Sequence, residues 1–236
     1  MQRLAADLHI HSCLSPCADA EMTPNNIAAM ASLKGLEAIA VCDHNSALNL
    51  PACEKAALRC GLVFLPGLEV TTSEEVHVLT FFADVESALD FGERLYKSIP
   101  NVMNKPEFFG EQLVMNEADE LIRVENKLLP QASALTIDEL VNACRKFNGV
   151  PVPAHINRQA HSLLANLGFI PPELKFTAIE AYSWIPLSVE NSERYHIIYD
   201  SDAHCLGNIS EREHFVGAYE KSAEGILAYL KESKPF

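Results

Sequence analysis

Apolar runs of strand length recur along this chain, and a histidine or a carboxylate stands at or near the end of most of them. Leu4–Leu8 leads into His9-x-His11, Leu36–Cys42 ends at Asp43-His44, and Leu62–Leu65 leads through Pro66-Gly67-Leu68 to Glu69. His77 lies inside the run Val76–Phe82, His155 follows Val150–Ala154, and Ile197–Tyr199 precedes Asp200-Ser201-Asp202-Ala203-His204. Between these runs lie segments of helical character. Thr23-Pro24 is a helix start, and Gly35 and Gly61 are helix stops. Further helices are expected over 52–60, 86–96, 117–124, 137–147, 162–167, 189–195 and 223–232, and further strands over 176–181 and 215–218. Short strand followed by helix, repeated, predicts a parallel α/β architecture, and the number of units suits a barrel. The segment 99–135 breaks the pattern with scattered prolines, asparagines and acids. It reads as an insertion or lid within one domain spanning 1–236.

If the sheet is a barrel, the C-terminal ends of its strands converge on one face, where active sites form. Of nine histidines, six (9, 11, 44, 77, 155 and 204) belong to these runs, and only 161, 196 and 214 lie elsewhere. Residues i and i+2 of a strand point the same way, so His9 and His11 can grip one ion or two adjacent ones, as can Asp202 and His204. Asp43 and His44 must diverge. One of them is a ligand and the other orients a ligand or packs behind the site. Imidazole with carboxylate favours Zn, Mn or Fe over Ca. So many donors exceed what one tetrahedral ion needs, which implies two or three divalent metals with Glu69 as a bridge.

The balance of 18 Lys+Arg against 32 Asp+Glu gives a formal net charge of −14. A surface this acidic repels phosphate backbones, so binding to long nucleic acid is disfavoured, while a small anionic substrate is not excluded because metal ions can reverse the field inside a cleft. Seven cysteines without a CxxC pair, no apolar signal-peptide core and no run of membrane-spanning length give the expectation of a cytoplasmic chain with reduced thiols and no membrane partner.

In these motifs the chain resembles the PHP (polymerase and histidinol phosphatase) family of metal-dependent phosphoesterases. The matching residues are Asp7-Leu8-His9-Ile10-His11-Ser12, Asp43-His44, Pro66-Gly67-Leu68-Glu69 with His77, and Ser201-Asp202-Ala203-His204, with His155 where the family has a further ligand. The resemblance implies a distorted (β/α)7 TIM-like barrel and a three-metal site held by His9, His11, His44, Glu69, His77, His155, Asp202 and His204. Where many members have Ser-Asp-Gly, this chain has Ser15-Pro16-Cys17-Ala18-Asp19. Asp19 is the candidate for the remaining ligand, with Cys17 as the alternative. Arg158 stands where members often place a basic residue for the substrate phosphate.

The expected chemistry is hydrolysis of a small phosphate ester, such as a nucleotide or sugar phosphate, by a metal-bridged hydroxide. Asp202 and His204 are the catalytic candidates, and His204 or a metal-held water is to protonate the leaving group. Two alternatives stand beside it. One is an amidohydrolase-type enzyme cleaving C–N or C–O bonds, disfavoured because Glu69 takes the place of a bridging lysine. The other is an exonuclease acting on short nucleic acid.

Overall fold

The computed structural model describes residues 1–234. The first half of the chain runs β1 (Gln2–Ile10), α1 (Pro24–Leu33), β2 (Ala38–Val41), α2 (Leu50–Arg59), β3 (Val63–Phe64), β4 (Gly67–Thr71), β5 (His77–Phe81) and α3 (Val85–Tyr96). The inserted segment contributes α4 (Pro106–Phe109), β6 (Leu113–Met115) and β7 (Leu121–Val124). Then follow α5 (Ile137–Lys146), β8 (Val150–Pro153), α6 (Leu163–Leu167), β9 (Ala178–Glu180), β10 (His196–Ile198), β11 (Phe215–Ala218) and α7 (Ala223–Lys231). The helix starts follow local chemistry. Thr23 accepts the N–H of Asn26 ahead of Pro24, and Thr136 and Glu139 form a reciprocal capping box.

The architecture is mixed α/β, and the expected closed barrel is not found among the described residues. The strands fall into four sheets: β11-β1-β2-β3, β4-β5-β8, β10-β9 and β6-β7. β1, β2 and β3 pair in parallel as predicted, but β11 joins β1 antiparallel, and β4, β5 and β8 form an antiparallel meander. Near the site the sheets are joined by isolated contacts among the described residues, a bridge of His44 with Glu69 and the Ile156 N–H on the Glu180 carbonyl, and Ala203 bridges to Ile10 at the end of β1. The reason lies in buried acids. Asp200 accepts the Leu8 N–H at 2.6 Å, Asp7 accepts the Ser201 N–H at 3.1 Å, and Glu180 accepts the His155 N–H at 2.6 Å. Carboxylates take donors that a neighbouring strand would otherwise satisfy, so the ladders stop where the site begins. The apolar sides of β1, β2, β5, β8, β9, β10 and β11 still share one buried interior that includes Leu8, Cys42, Phe81, Val152 and Ile198.

Two expected helices are absent. Residues 189–195 contain only one 3-10 turn, Ser192–Arg194. Residues 117–124 lie in the β6–β7 hairpin instead. There the Asn116 side chain accepts the N–H groups of Ala118 and Glu120, and Asp119 adopts φ +59°. That turn chemistry outcompetes the helical pattern. The inserted segment packs on the body through Leu14, Ile99, Val114 and Leu129. It approaches the body tightly at Gly110, φ +96°, where a Cβ would collide with the Pro16 carbonyl oxygen. Gly110→Ala is expected to cost about 1–3 kcal/mol, read as a lower denaturant midpoint. An unchanged midpoint would show that this contact is dispensable.

Candidate metal centre

The eight residues of the family-type set gather in one cluster, and five of its imidazoles surround one carboxylate. Glu69 sits on β4 and is 1% exposed. Its Oε1 lies 2.7 Å from His77 Nδ1, 3.2 Å from His155 Nε2 and 3.6 Å from His9 Nε2. Its Oε2 lies 3.0 Å from His44 Nδ1 and 3.4 Å from His11 Nε2. Burial alone would raise the Glu69 pKa, but the imidazoles of His77, His9 and His44 outweigh it and hold the carboxyl well below its usual range. Asp202 is the second acid. Its Oδ1 is 3.1 Å from His11 Nε2 and 3.4 Å from His9 Nε2, and despite burial these imidazoles also push its pKa down.

His9 and His11 extend from β1 on the same side, as their spacing predicts, with Nε2 atoms 3.1 Å apart. Two nitrogens at about 2.1 Å from a tetrahedral ion would stand roughly 3.4 Å apart, so this pair has the separation of shared ligands. Three donor groups suit a cation: His9, His11, Glu69 and Asp202; Glu69, His77 and His155; and His11, His44 and His204. Glu69 belongs to two of them and His11 to two, so ions held there would be neighbours with Glu69 between them.

The surrounding shell fixes the tautomers. The His9 Nδ1–H donates to Glu180 Oε1 at 2.8 Å, leaving Nε2 as the lone-pair nitrogen facing the cluster. The His204 Nδ1–H donates to the Asp202 carbonyl at 2.7 Å, with the same consequence. Ser12 and Ser15 hydroxyls donate to Asp43 at 2.5 and 2.7 Å, so Ser15 Oγ is left to accept the His11 Nδ1–H at 2.9 Å. Asp43 thus holds the Ser15 hydroxyl that faces His11, while the His44 ring lies among the clustered imidazoles, 3.0 Å from Glu69. His155 and Asp202 hold φ of +29° and +52°, backbone strain of the kind that concentrates at functional sites.

Asp19 is exposed and belongs to none of the three groups; its backbone N–H bonds the His204 carbonyl instead. The Ser15–Ala18 turn puts Cys17 at the cleft wall and against His44. Arg158 reaches the site, with Nη1 3.4 Å from Asp202 Oδ2. Three further residues stand out that the motif reading passes over. Glu180, in the run Phe176–Ala181, is fully buried and holds both His9 and the backbone of His155. A charged residue inside an apolar strand was the available signal. Tyr182 donates its hydroxyl to Asp202 Oδ2 at 2.6 Å. His161 stacks on His77 at 4.7 Å between ring centres and lines the cleft.

Comparison with known proteins adds to this geometry. A profile of the PHP domain matches residues 7–130. A 5'-3' exoribonuclease of Haemophilus influenzae is 30% identical over 76 residues, covering 31% of this chain and 27% of its own, so the chain spans about a quarter of that relative's length. Endonuclease Q of Pyrococcus furiosus, a lesion-specific endonuclease, superposes with a TM-score of 0.69 at 20% identity over 98% of this chain and 56% of its own. A protein described as a metal-dependent phosphoesterase from Bifidobacterium adolescentis superposes at 0.63 with 18% identity over 96% of both chains.

The acid balance does not disfavour long nucleic acid as expected. Endonuclease Q, of the same fold, is solved with a 27-mer duplex substrate at its active site. Net charge sums the whole surface, whereas substrate meets a cleft whose field is set by ions and by local groups such as Arg158. No helix among the described residues is long and apolar enough to cross a membrane. Matched over more than half of its length by the domain profile, the chain belongs to the PHP domain family.

Proposed function

We propose that this chain hydrolyses phosphoesters with two or three divalent ions held by His9, His11, His44, Glu69, His77, His155, Asp202 and His204. The observation that carries the reading is the convergence of five imidazoles on the single carboxylate of Glu69. Bound divalent ions activate water near neutral pH and neutralise phosphoryl oxygens. Imidazole and carboxylate donors suit zinc, manganese or iron.

The chain's own residues supply placement. Glu180 and the Asp43–Ser15 pair keep the lone pairs of His9 and His11 turned inward. Arg158, 43% exposed at its side chain, is placed to bind a substrate phosphate oxygen beside Asp202. Its test is Arg158→Lys, which keeps the charge and loses the fork. His204 serves better as a ligand than as the acid that protonates the leaving group. Burial and the charge of His11 push its pKa down to about 4, and its inward nitrogen cannot both bind an ion and carry a proton. Substrates from a nucleotide-sized ester to the end of a nucleic-acid strand are consistent with an open cleft of about 760 Å³.

The test is phosphate release from monoesters, and ester cleavage in diesters, by protein reloaded with Mn²⁺ or Zn²⁺. Chelation is expected to abolish turnover and ion addition to restore it. Chelator-insensitive turnover, or none with either ion on either class, would overturn the reading.

A further inference from the structure

The cleft continues past the ligand cluster to a wall that the hydrolytic chemistry does not need. Trp184, the single tryptophan of the chain, stands in that wall with 66% of its surface exposed. Its ring lies on that of Tyr182, with centres 4.5 Å apart and planes 14° from parallel. The Tyr182 hydroxyl in turn reaches Asp202 Oδ2, so the aromatic pair runs from solvent to the edge of the cluster.

The pair is held in place. Asn157 Nδ2 donates to the carbonyls of Tyr182 and Ile185 at 2.9 and 2.7 Å, and Asn157 Oδ1 accepts the Tyr182 N–H at 2.9 Å. Asn157 lies between His155 and Arg158, so one loop carries a candidate ligand, the clamp of the platform and the guanidinium beside Asp202. Phe109 of the inserted segment, 49% exposed, lines the same cleft. A large flat ring kept exposed in a clamped orientation forgoes the burial that would stabilise it. Tyr182 covers one face, and the exposed area offers the other. Aromatic faces of this kind receive nucleobases, since every base presents a π-face.

We propose that Trp184 is a stacking subsite for the nucleobase of a nucleoside phosphoester. Tyr182 backs the stack, and Arg158 holds the phosphate against the cluster. The inference rests on the phosphoester reading and narrows its substrate class to base-bearing esters. The base comes from a free nucleotide or from the end of a single strand.

The single tryptophan makes the subsite directly observable. Full-length protein loaded with Zn²⁺ is titrated with a nucleoside 5'-monophosphate, with a short single-stranded oligonucleotide and with ribose 5-phosphate, following tryptophan emission. The two base-bearing ligands are expected to quench Trp184 and ribose 5-phosphate to leave it unchanged. The tighter of the two identifies the source of the base. Kinetically, Trp184→Ala is expected to lower the ratio of kcat/KM for base-bearing over base-free esters about tenfold, and Trp184→Tyr to restore most of it. Quenching by ribose 5-phosphate as strong as by the nucleotide, or an unchanged ratio in Trp184→Ala, would overturn the subsite. Base-specific quenching without turnover of any ester would sink the phosphoester reading and leave the subsite standing.

Discussion

Glu69→Gln is expected to lower kcat/KM for any phosphoester by about 10³ or more and to strip at least one ion from the loaded protein. The substitution keeps the shape of the side chain and replaces one acceptor oxygen with an N–H donor. Five imidazole nitrogens lie within 3.6 Å of the Glu69 carboxylate, and an amide nitrogen among them can neither bind a cation nor bridge two. Glu180→Gln gives the graded comparison. Glu180 touches His9 and the His155 backbone but belongs to no ligand group, so its loss acts through ring orientation. A fall of about 10–100-fold, with the ion count largely kept, is expected there. The two variants are compared by metal analysis and steady-state kinetics on the same preparations. Full activity and full metal content in Glu69→Gln would remove the bridging assignment. Equal losses in both variants would mean that the cluster tolerates no disturbance and that the ligand set is unproven.

The convergence of histidines and carboxylates was legible because it rests on the simplest rules of chain geometry. His9-x-His11 faces one way because strand side chains alternate, and the end of an apolar run places a polar residue at the rim of a core. Arg158 is picked out only by its place three residues after His155, with no periodicity to support it. The sheet arrangement was less legible. A run such as Leu68–Thr71 carries no mark of whether it pairs parallel or antiparallel, and β4 and β5 turn back on each other through Thr72–Val76. The breaks in the ladders depend on Asp7, Asp200 and Glu180, whose partners lie up to 203 residues away in sequence. Asp19 is the candidate only as the counterpart of the Asp in the family's Ser-Asp-Gly, with Cys17 as the alternative. In the structure Asp19 is exposed and neither residue belongs to a donor group, while the turn from Ser15 puts the Cys17 thiol on the cleft side, a backbone matter that spacing cannot convey.

Acidification is expected to empty the three donor groups unequally. Protons and cations compete for the same lone pairs, and the groups differ in how tightly they hold protons. Burial disfavours the charged imidazolium at His11 and at His44. At His11 hydrogen bonds to Asp202 and Glu69 outweigh it, and at His44 the charge of Glu69 does, so both are pushed up to about 9. His77 and His204 go the other way, down to about 4, because burial prevails there. Below pH 9 an ion entering at His11, His44 and His204 must therefore displace protons from two of its three ligands. An ion entering at Glu69, His77 and His155 displaces none from His77 or Glu69.

Affinity at the first group is expected to fall about 10–100-fold per pH unit between 8 and 6, and far less at the second. Metal content after dialysis against a fixed free-ion level at pH 8, 7 and 6 reads the difference. Calorimetry in two buffers of different ionisation heat counts the protons released. The same shifts set the stability of the metal-free protein. A histidine whose folded pKa is raised stabilises the fold below its unfolded value of about 6.5 and loses that contribution as pH rises through about 9. Metal-free protein should thus melt at a lower temperature at pH 9 than at pH 6.5, and metal-loaded protein should show the opposite order. Parallel melting profiles with and without metal, or ion loss that is uniform across pH, would show that His11 and His44 do not exchange protons for cations.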